Sequence, residues 1–263
     1  MTLTMAVVIE YQNVHLTGAS LFLPGRPPEE GLIDPFRFAC QLAQARNAKI
    51  ADERYKATVK RVEVFRGLPI PEDDPDANRR NQAQKAEWER GHHGVVSVTL
   101  RPLKYTWDYL DGRRVPVRAS RREKGVDVLC ALALIDLARS GRYDVVVLAS
   151  RDTDLAPALD NAARTTSTKI EAVKWFDPAD RRTRGNISTQ AKNCTAPGRP
   201  GSHARKTIRA SDWVTVFSLP PRLAAMIPYF AMAARSHVIP HSRTRISTVK
   251  YHGSSPSRLR EMK

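Results

Sequence analysis

Cysteine is scarce in this chain. Only Cys40, Cys130 and Cys194 occur in 263 residues, far apart and with no C-x-x-C pair. That excludes a disulfide framework or a zinc ribbon and fits a reducing compartment, so a cytoplasmic location is expected. Long apolar runs are also lacking. The longest, residues 223–234, contains Pro228 and falls short of the roughly 20 residues a bilayer span requires, so no membrane association is expected. The first ten residues have no cationic cluster ahead of an apolar core, which argues against a secretory leader. Acidic residues are outnumbered, 27 Asp+Glu against 43 Lys+Arg, for a net charge of +16. Residues 191–263 hold 13 Lys+Arg and 2 Asp+Glu, so +11 of that charge lies in the tail and +5 in residues 1–190. A basic tail on a milder body fits a polyanionic partner, because phosphate backbones release counterions to such segments. Charge alone does not separate nucleic acid from acidic lipid.

What is present suffices for a core. The apolar fraction of 41% excludes wholesale disorder, and the length suits one generous domain with an appendage. Residues 5–9 form a short apolar run, as in a buried parallel strand, ending in Glu10, Tyr11, Gln12 and Asn13. Asp34 and Pro35 open a helix reaching about Asn47 by cap and first-turn chemistry. Residues 59–65 alternate apolar with charged, as a half-buried or edge strand does. Residues 67–76, rich in Pro and Asp, read as a surface loop, followed by a helix over residues 77–90 that carries Arg79, Arg80 and Lys85. A strand follows at residues 95–100. Two β-leaning runs around Asp111–Gly112 then predict a protruding hairpin bearing Arg113, Arg114 and Arg118.

Apolar residues 126, 129, 130, 133, 134, 137 and 138 repeat at helical spacing until Gly141. The run Val145, Val146, Val147, Leu148, Ala149 reads as a central parallel strand, with a loop at residues 150–154, a helix to about Arg164 and a strand over residues 169–174. Strands alternating with helices imply right-handed crossovers and a doubly wound α/β sheet. After Phe176 the pattern decays into linker-like RRTRGN, TAPGRPGS and SSPS. The expected division is a folded domain over residues 1–177 and a basic, largely flexible extension over residues 178–263, in which residues 208–234 have room for a short strand or helix.

In an open parallel sheet the functional crevice lies beyond the carboxyl ends of the strands. Glu10 stands at one such end, Asp152 and Asp154 just past another, and Asp127 in the first turn of the long helix. Carboxylates held together repel and raise one another's pKa unless a divalent cation neutralises them, and Mg²⁺ or Mn²⁺ would be the natural occupant. Such a cation activates water and stabilises charge on a phosphodiester, so the chemistry would be hydrolysis. Asn13 is a neutral group able to position substrate or water. Each acid also has an ordinary role: Asp127 as a helix-dipole partner, one of Ser150, Asp152 and Asp154 as a cap, Glu10 as a surface acid. One cap does not need two carboxylates, and the shared edge favours a site. His15 is a weaker candidate base, and His92–His93 lacks partners at metal-ligand spacing.

The segments VVIEYQNVHLTG (residues 7–18), REKGVDVLCALALIDLAR (residues 122–139) and DVVVLASRDTDLAPALDNA (residues 144–162) resemble the three signature blocks of the NYN domain family, relatives of the PIN-like nucleases. The stretches RGLPIPEDDPDANRRNQAQKAEWER and VTLRPLKY resemble actinobacterial members. The resemblance covers about residues 5–175. It implies a Rossmann-like, PIN-like three-layer α/β sandwich with a mainly parallel central sheet, and a metal-dependent ribonuclease whose acidic tetrad falls on Glu10, Asp127, Asp152 and Asp154, with Asn13 matching the family's asparagine. Ser150, Arg151, Arg79, Arg80, Arg113 and Arg114 are the expected substrate contacts, and RNA the expected partner. Glu10 stands where the family usually has Asp, one methylene longer, and Arg151 where Gly is common.

Three functions therefore compete. The first is a metal-dependent endoribonuclease. The second is an RNA-binding module that the longer Glu10 has left catalytically weak or inactive. The third is a phosphohydrolase of haloacid-dehalogenase type, suggested by the Asp152-Thr153-Asp154 run. That run follows a late strand, however, and Ala156 replaces the Thr such enzymes carry.

Overall fold

The computed structural model describes residues 2–175 and 215–219. Its first strand, β1 (Leu3–Glu10), shows how the layers arise. Successive strand side chains point to opposite faces, so a run that is apolar at every position needs cover on both. Met5, Val7 and Ile9 enter one core with α1 (Tyr11–Phe22), α2 (Pro35–Asn47) and Trp88 of α3 (Pro75–Gly91). Ala6 and Val8 enter a second core with α4 (Val126–Arg139) and α5 (Ala156–Thr165). The result is a three-layer α/β sandwich.

The remaining strands are β2 (Ala57–Leu68), β3 (Val96–Pro102), β4 (Trp107–Leu110), β5 (Arg113–Pro116), β6 (Val145–Ala149), β7 (Lys169–Trp175) and β8 (Thr215–Leu219). The main sheet runs β3-β2-β1-β6-β7-β8, with every pairing parallel. The chain builds outward from β1 to β3, then crosses to β6 on the other side of β1. Strand order therefore reverses between β1 and β6, the place where open α/β sheets form their ligand crevice. Ile9 pairs with Ala149 and Glu10 with Phe65, which sets Glu10 beside the exit of β6 and beside Arg66 at the end of β2.

Several sequence expectations meet differences. The polar cluster that ends β1 opens a helix that the sequence reading did not place, since α1 begins at Tyr11 directly after Glu10. β2 is interior rather than an edge, covered by β3, and its second half is buried. The loop before α3 is not wholly at the surface, because Asp73 is buried and accepts from Tyr105 Oη (2.9 Å) and Arg118 Nε (2.8 Å). β8 lies in the expected extension, within the stretch given room for a short element, and pairs parallel with β7. The expected flexibility of the rest of residues 178–263 lies outside the described residues. Among the described residues no helix is long and apolar enough to cross a membrane.

Candidate active site

Glu10 ends β1 as a buried carboxylate, 8% exposed. The hydroxyl of Ser150, the first residue past β6, donates to Glu10 Oε2, and Ser150 Oγ accepts from the Asp152 amide at 2.9 Å. Ser150 is itself 1% exposed, so its hydroxyl fixes Glu10 and shapes the turn after β6 from behind. Asn13, in the first turn of α1, accepts the Arg151 amide at 2.9 Å. The neutral Asn13 thus ties the start of α1 to the exit of β6 and holds the crevice walls together. Asp152 caps the short 3-10 turn Thr153–Leu155, its Oδ1 accepting the Asp154 amide at 2.9 Å.

The charges on this edge act on one another. Burial, first, pushes the Glu10 carboxyl above its ordinary value, the Ser150 bond opposes, and the negative charges of Asp152, Glu123 and Asp127 raise it further. The buried Cys130 thiol of α4, pushed up chiefly by burial, feels the same four carboxylates: Glu10, Glu123, Asp127 and Asp152. Asp154 is in neither group and is exposed on the 3-10 turn. Glu10 thus feels the charges of Asp127 and Asp152, while Asp154 stands on the solvent side.

Glu123 is the residue that sequence reasoning missed. It sits in the irregular segment before α4, accepts the Gly67 amide, and has its carboxyl raised by burial first, against the lowering pull of Arg66. A side chain at residue 67 would drive into Leu103 and come within 2.6 Å of Glu123 Oε1, so Gly67 is what lets this carboxylate reach the end of β2. Glu123 lies inside the second signature block, four residues before Asp127, but no periodicity marks it. Arg66 was also unforeseen. It is 8% exposed, lies 4.7 Å over the Tyr11 ring, donates to Gln84 at 2.7 Å, and stands as a cation beside Glu123.

The other expected residues scatter. Arg79 pairs with Asp76 on an exposed turn of α3, and Arg80 is exposed beside it. Arg113 and Arg114 lie on the hairpin, exposed. Arg151 is half-buried near Lys174, whose ammonium is lowered by burial and by that guanidinium. His15 points into the core, its Nε2 2.7 Å from the Pro28 carbonyl, and burial lowers its pKa, so its place is structural. His92 stacks on Phe36 at 3.8 Å.

The donor set suits a hard cation: four carboxylates, partly buried, with excess negative charge. Among the described residues, however, no three His, Cys, Asp or Glu side chains stand close enough together to hold an ion as they are. The chemistry of the residues fits a metal, while the positions of their side chains do not converge on one point.

No curated protein matches the chain. A solved structure of a protein of unknown function from Vibrio parahaemolyticus is 19% identical, covers 65% of this chain and 80% of that one, and superposes with a TM-score of 0.37, too remote to bear on fold or function. The NYN domain model matches residues 4–176, spanning both core clusters and all four clustered carboxylates. The chain belongs to the NYN domain family.

Proposed function

We propose that the protein is a metal-dependent endoribonuclease acting at the crevice between β1 and β6. One observation carries the reading: the carboxyl of Glu10, at the topological switch point, is raised by Asp152, Glu123 and Asp127, so that acids from three separate segments (the end of β1, the turn after β6 and the stretch that opens α4) act at one place. Uncompensated carboxylates at such a place cost stability, and a protein keeps them there for chemistry. Glu10, Asp127 and Asp152 would hold Mg²⁺ or Mn²⁺, with Glu123 beside them and Asp154 at the mouth. The metal, when bound, supplies an acidified water and charge stabilisation at the phosphate. Ser150 holds Glu10 in place, Asn13 fixes the loop carrying Asp152, and the exposed Arg79, Arg80, Arg113 and Arg114 draw the phosphate backbone. In the reaction, a water oxygen bonds to phosphorus, the ester P–O bond breaks, and the leaving oxygen takes a proton. A cytoplasmic setting, where Mg²⁺ and RNA are both abundant, suits this chemistry.

The open arrangement of the carboxylates favours one competitor, an RNA-binding module in which Glu10 has displaced the metal. Labelled single-stranded RNA incubated with Mn²⁺, with Mg²⁺ and with chelator separates the two. The nuclease reading expects cleavage with metal, none with chelator, and a loss of at least about 100-fold in Asp152→Asn, the scale on which misplaced catalytic groups act. Salt-sensitive binding without cleavage under either metal would establish the competitor instead.

A further inference from the structure

The hairpin of β4 and β5 inserts between the end of β3 and the start of α4, both at the sheet edge that carries the acidic cluster. It is firmly mounted. Lys104 and Arg122 exchange two backbone hydrogen bonds at its foot (2.9 and 3.0 Å), the Thr106 amide donates to Ser120 Oγ at 2.7 Å, and Arg118 anchors to the buried Asp73. Glu123 follows Arg122 directly, so foot and active site are neighbours in the chain. The turn at Asp111–Gly112, with φ of 50° and 74°, is of the left-handed kind that matches strand twist.

Register decides which side chains share a face. Trp107 pairs with Pro116 and Tyr109 with Arg114, so Trp107, Tyr109 and Arg114 project from the same side of the ribbon. The Arg114 guanidinium lies 4.6 Å from the Trp107 ring centroid. Trp107 is 39% exposed and Tyr109 73%, with Leu110 at 63% on the opposite face. Large apolar side chains so concentrated on a protruding ribbon are unusual for surface that meets only water. Residues 101–124 also carry eight Lys+Arg against three Asp+Glu, so the rings stand in a positive field. Rings for bases and guanidinium groups for phosphates are the recurring means of holding an unpaired strand.

We propose that the Trp107–Tyr109–Arg114 face is a stacking platform that binds single-stranded RNA and feeds it to the acidic crevice. The proposal rests on the ribonuclease reading for its choice of RNA and adds the surface that holds the strand; that surface takes unpaired bases, since bases inside a duplex present no free ring faces. A lipid surface would use the same aromatic and basic residues, but the platform's attachment to the segment bearing Glu123 and Asp127 favours nucleic acid.

Binding in chelator tests it without cleavage. A labelled oligouridylate and an RNA duplex of equal length are titrated with the full chain, Tyr109→Ala, Tyr109→Phe, Trp107→Ala and, as a reference, Tyr55→Ala, an exposed ring beside Arg54 before β2. Each hairpin alanine variant is expected to weaken oligouridylate binding by about 5- to 150-fold, the range for loss of one stacked base. Duplex binding by the hairpin alanine variants, and oligouridylate binding by Tyr109→Phe and Tyr55→Ala, should stay within about twofold of wild type. Unchanged oligouridylate binding in both hairpin alanine variants overturns the platform, as does an equal loss on duplex, or no wild-type binding. A loss confined to sedimentation with anionic phospholipid vesicles also overturns it. Failure here leaves metal-dependent cleavage standing, whereas absence of cleavage with a Tyr109-dependent single-strand preference removes the nuclease and keeps the platform.

Discussion

Glu10 is the residue on which chemistry and stability oppose each other. Its carboxyl is raised by burial and by neighbouring acids, so the folded state binds its proton more tightly than the unfolded state does. A raised folded pKa gives stability that is present at low pH and lost as pH rises through the folded value. In chelator, thermal stability should therefore decline as pH climbs above the ordinary glutamate value, and Glu10→Gln, which cannot ionise, should flatten that decline and melt above wild type at neutral pH. Differential scanning calorimetry across pH checks this. A Glu10→Gln variant that melts below wild type at neutral pH would show Glu10 to be a compensated structural acid. The places of Glu10, Asp127 and Asp152 in the fold were legible because a strand end and helix starts mark them. Glu123 and Arg66 were not: their roles depend on a glycine gap at Gly67 and on the end of β2, neither of which has a periodic signature.

Among the elements, α1 was the least legible. Its residues 11–22 include Val14, Thr17 and Gly18, poor helix formers, and no side chain caps its start. Tertiary contacts form it instead: Tyr11 Oη exchanges hydrogen bonds with Ile33, and Trp175 Nε1 donates to the Val14 carbonyl at 2.7 Å. Elements with a strong local signal fared otherwise, as in α2, capped by Asp34, and the hairpin at Asp111–Gly112. α2 is also locked to the sheet by an ion pair that no pattern announces. Arg46 Nε meets Glu171 Oε2 at 2.8 Å with both side chains 1% exposed or less, and Lys169 reaches the same carboxylate at 3.1 Å. Removing one partner strands a buried charge, so Glu171→Ala is expected to cost about 3–5 kcal/mol, roughly 6–20 °C of Tm for a chain of this size. A loss below about 1 kcal/mol, the scale of a surface pair, would contradict that account.

At the scale of the whole molecule, one reversal of strand order does most of the positioning. The crossover from β3 to β6 sends α4 to the second face, where α5 of the following crossover joins it, brings Asp127 and Glu123 back to the edge where β1 ends, and leaves the hairpin standing beside it. The three layers and the parallel sheet were legible because continuous apolar runs such as residues 145–149 demand cover on both faces. β8 was not, because its five residues follow a long stretch without periodicity.

The claim beneath the functional reading is that carboxylates from these separate segments share a cation. Isothermal titration of Mn²⁺ into the chelator-stripped chain, alongside Asp152→Asn and Glu10→Gln, tests it without reference to cleavage. A saturable site in the wild type, with at least about tenfold weaker binding in both variants, the size of effect that metal-site changes commonly have, is the expected result. Absence of a saturable site, or one of equal affinity in all three proteins, would contradict it.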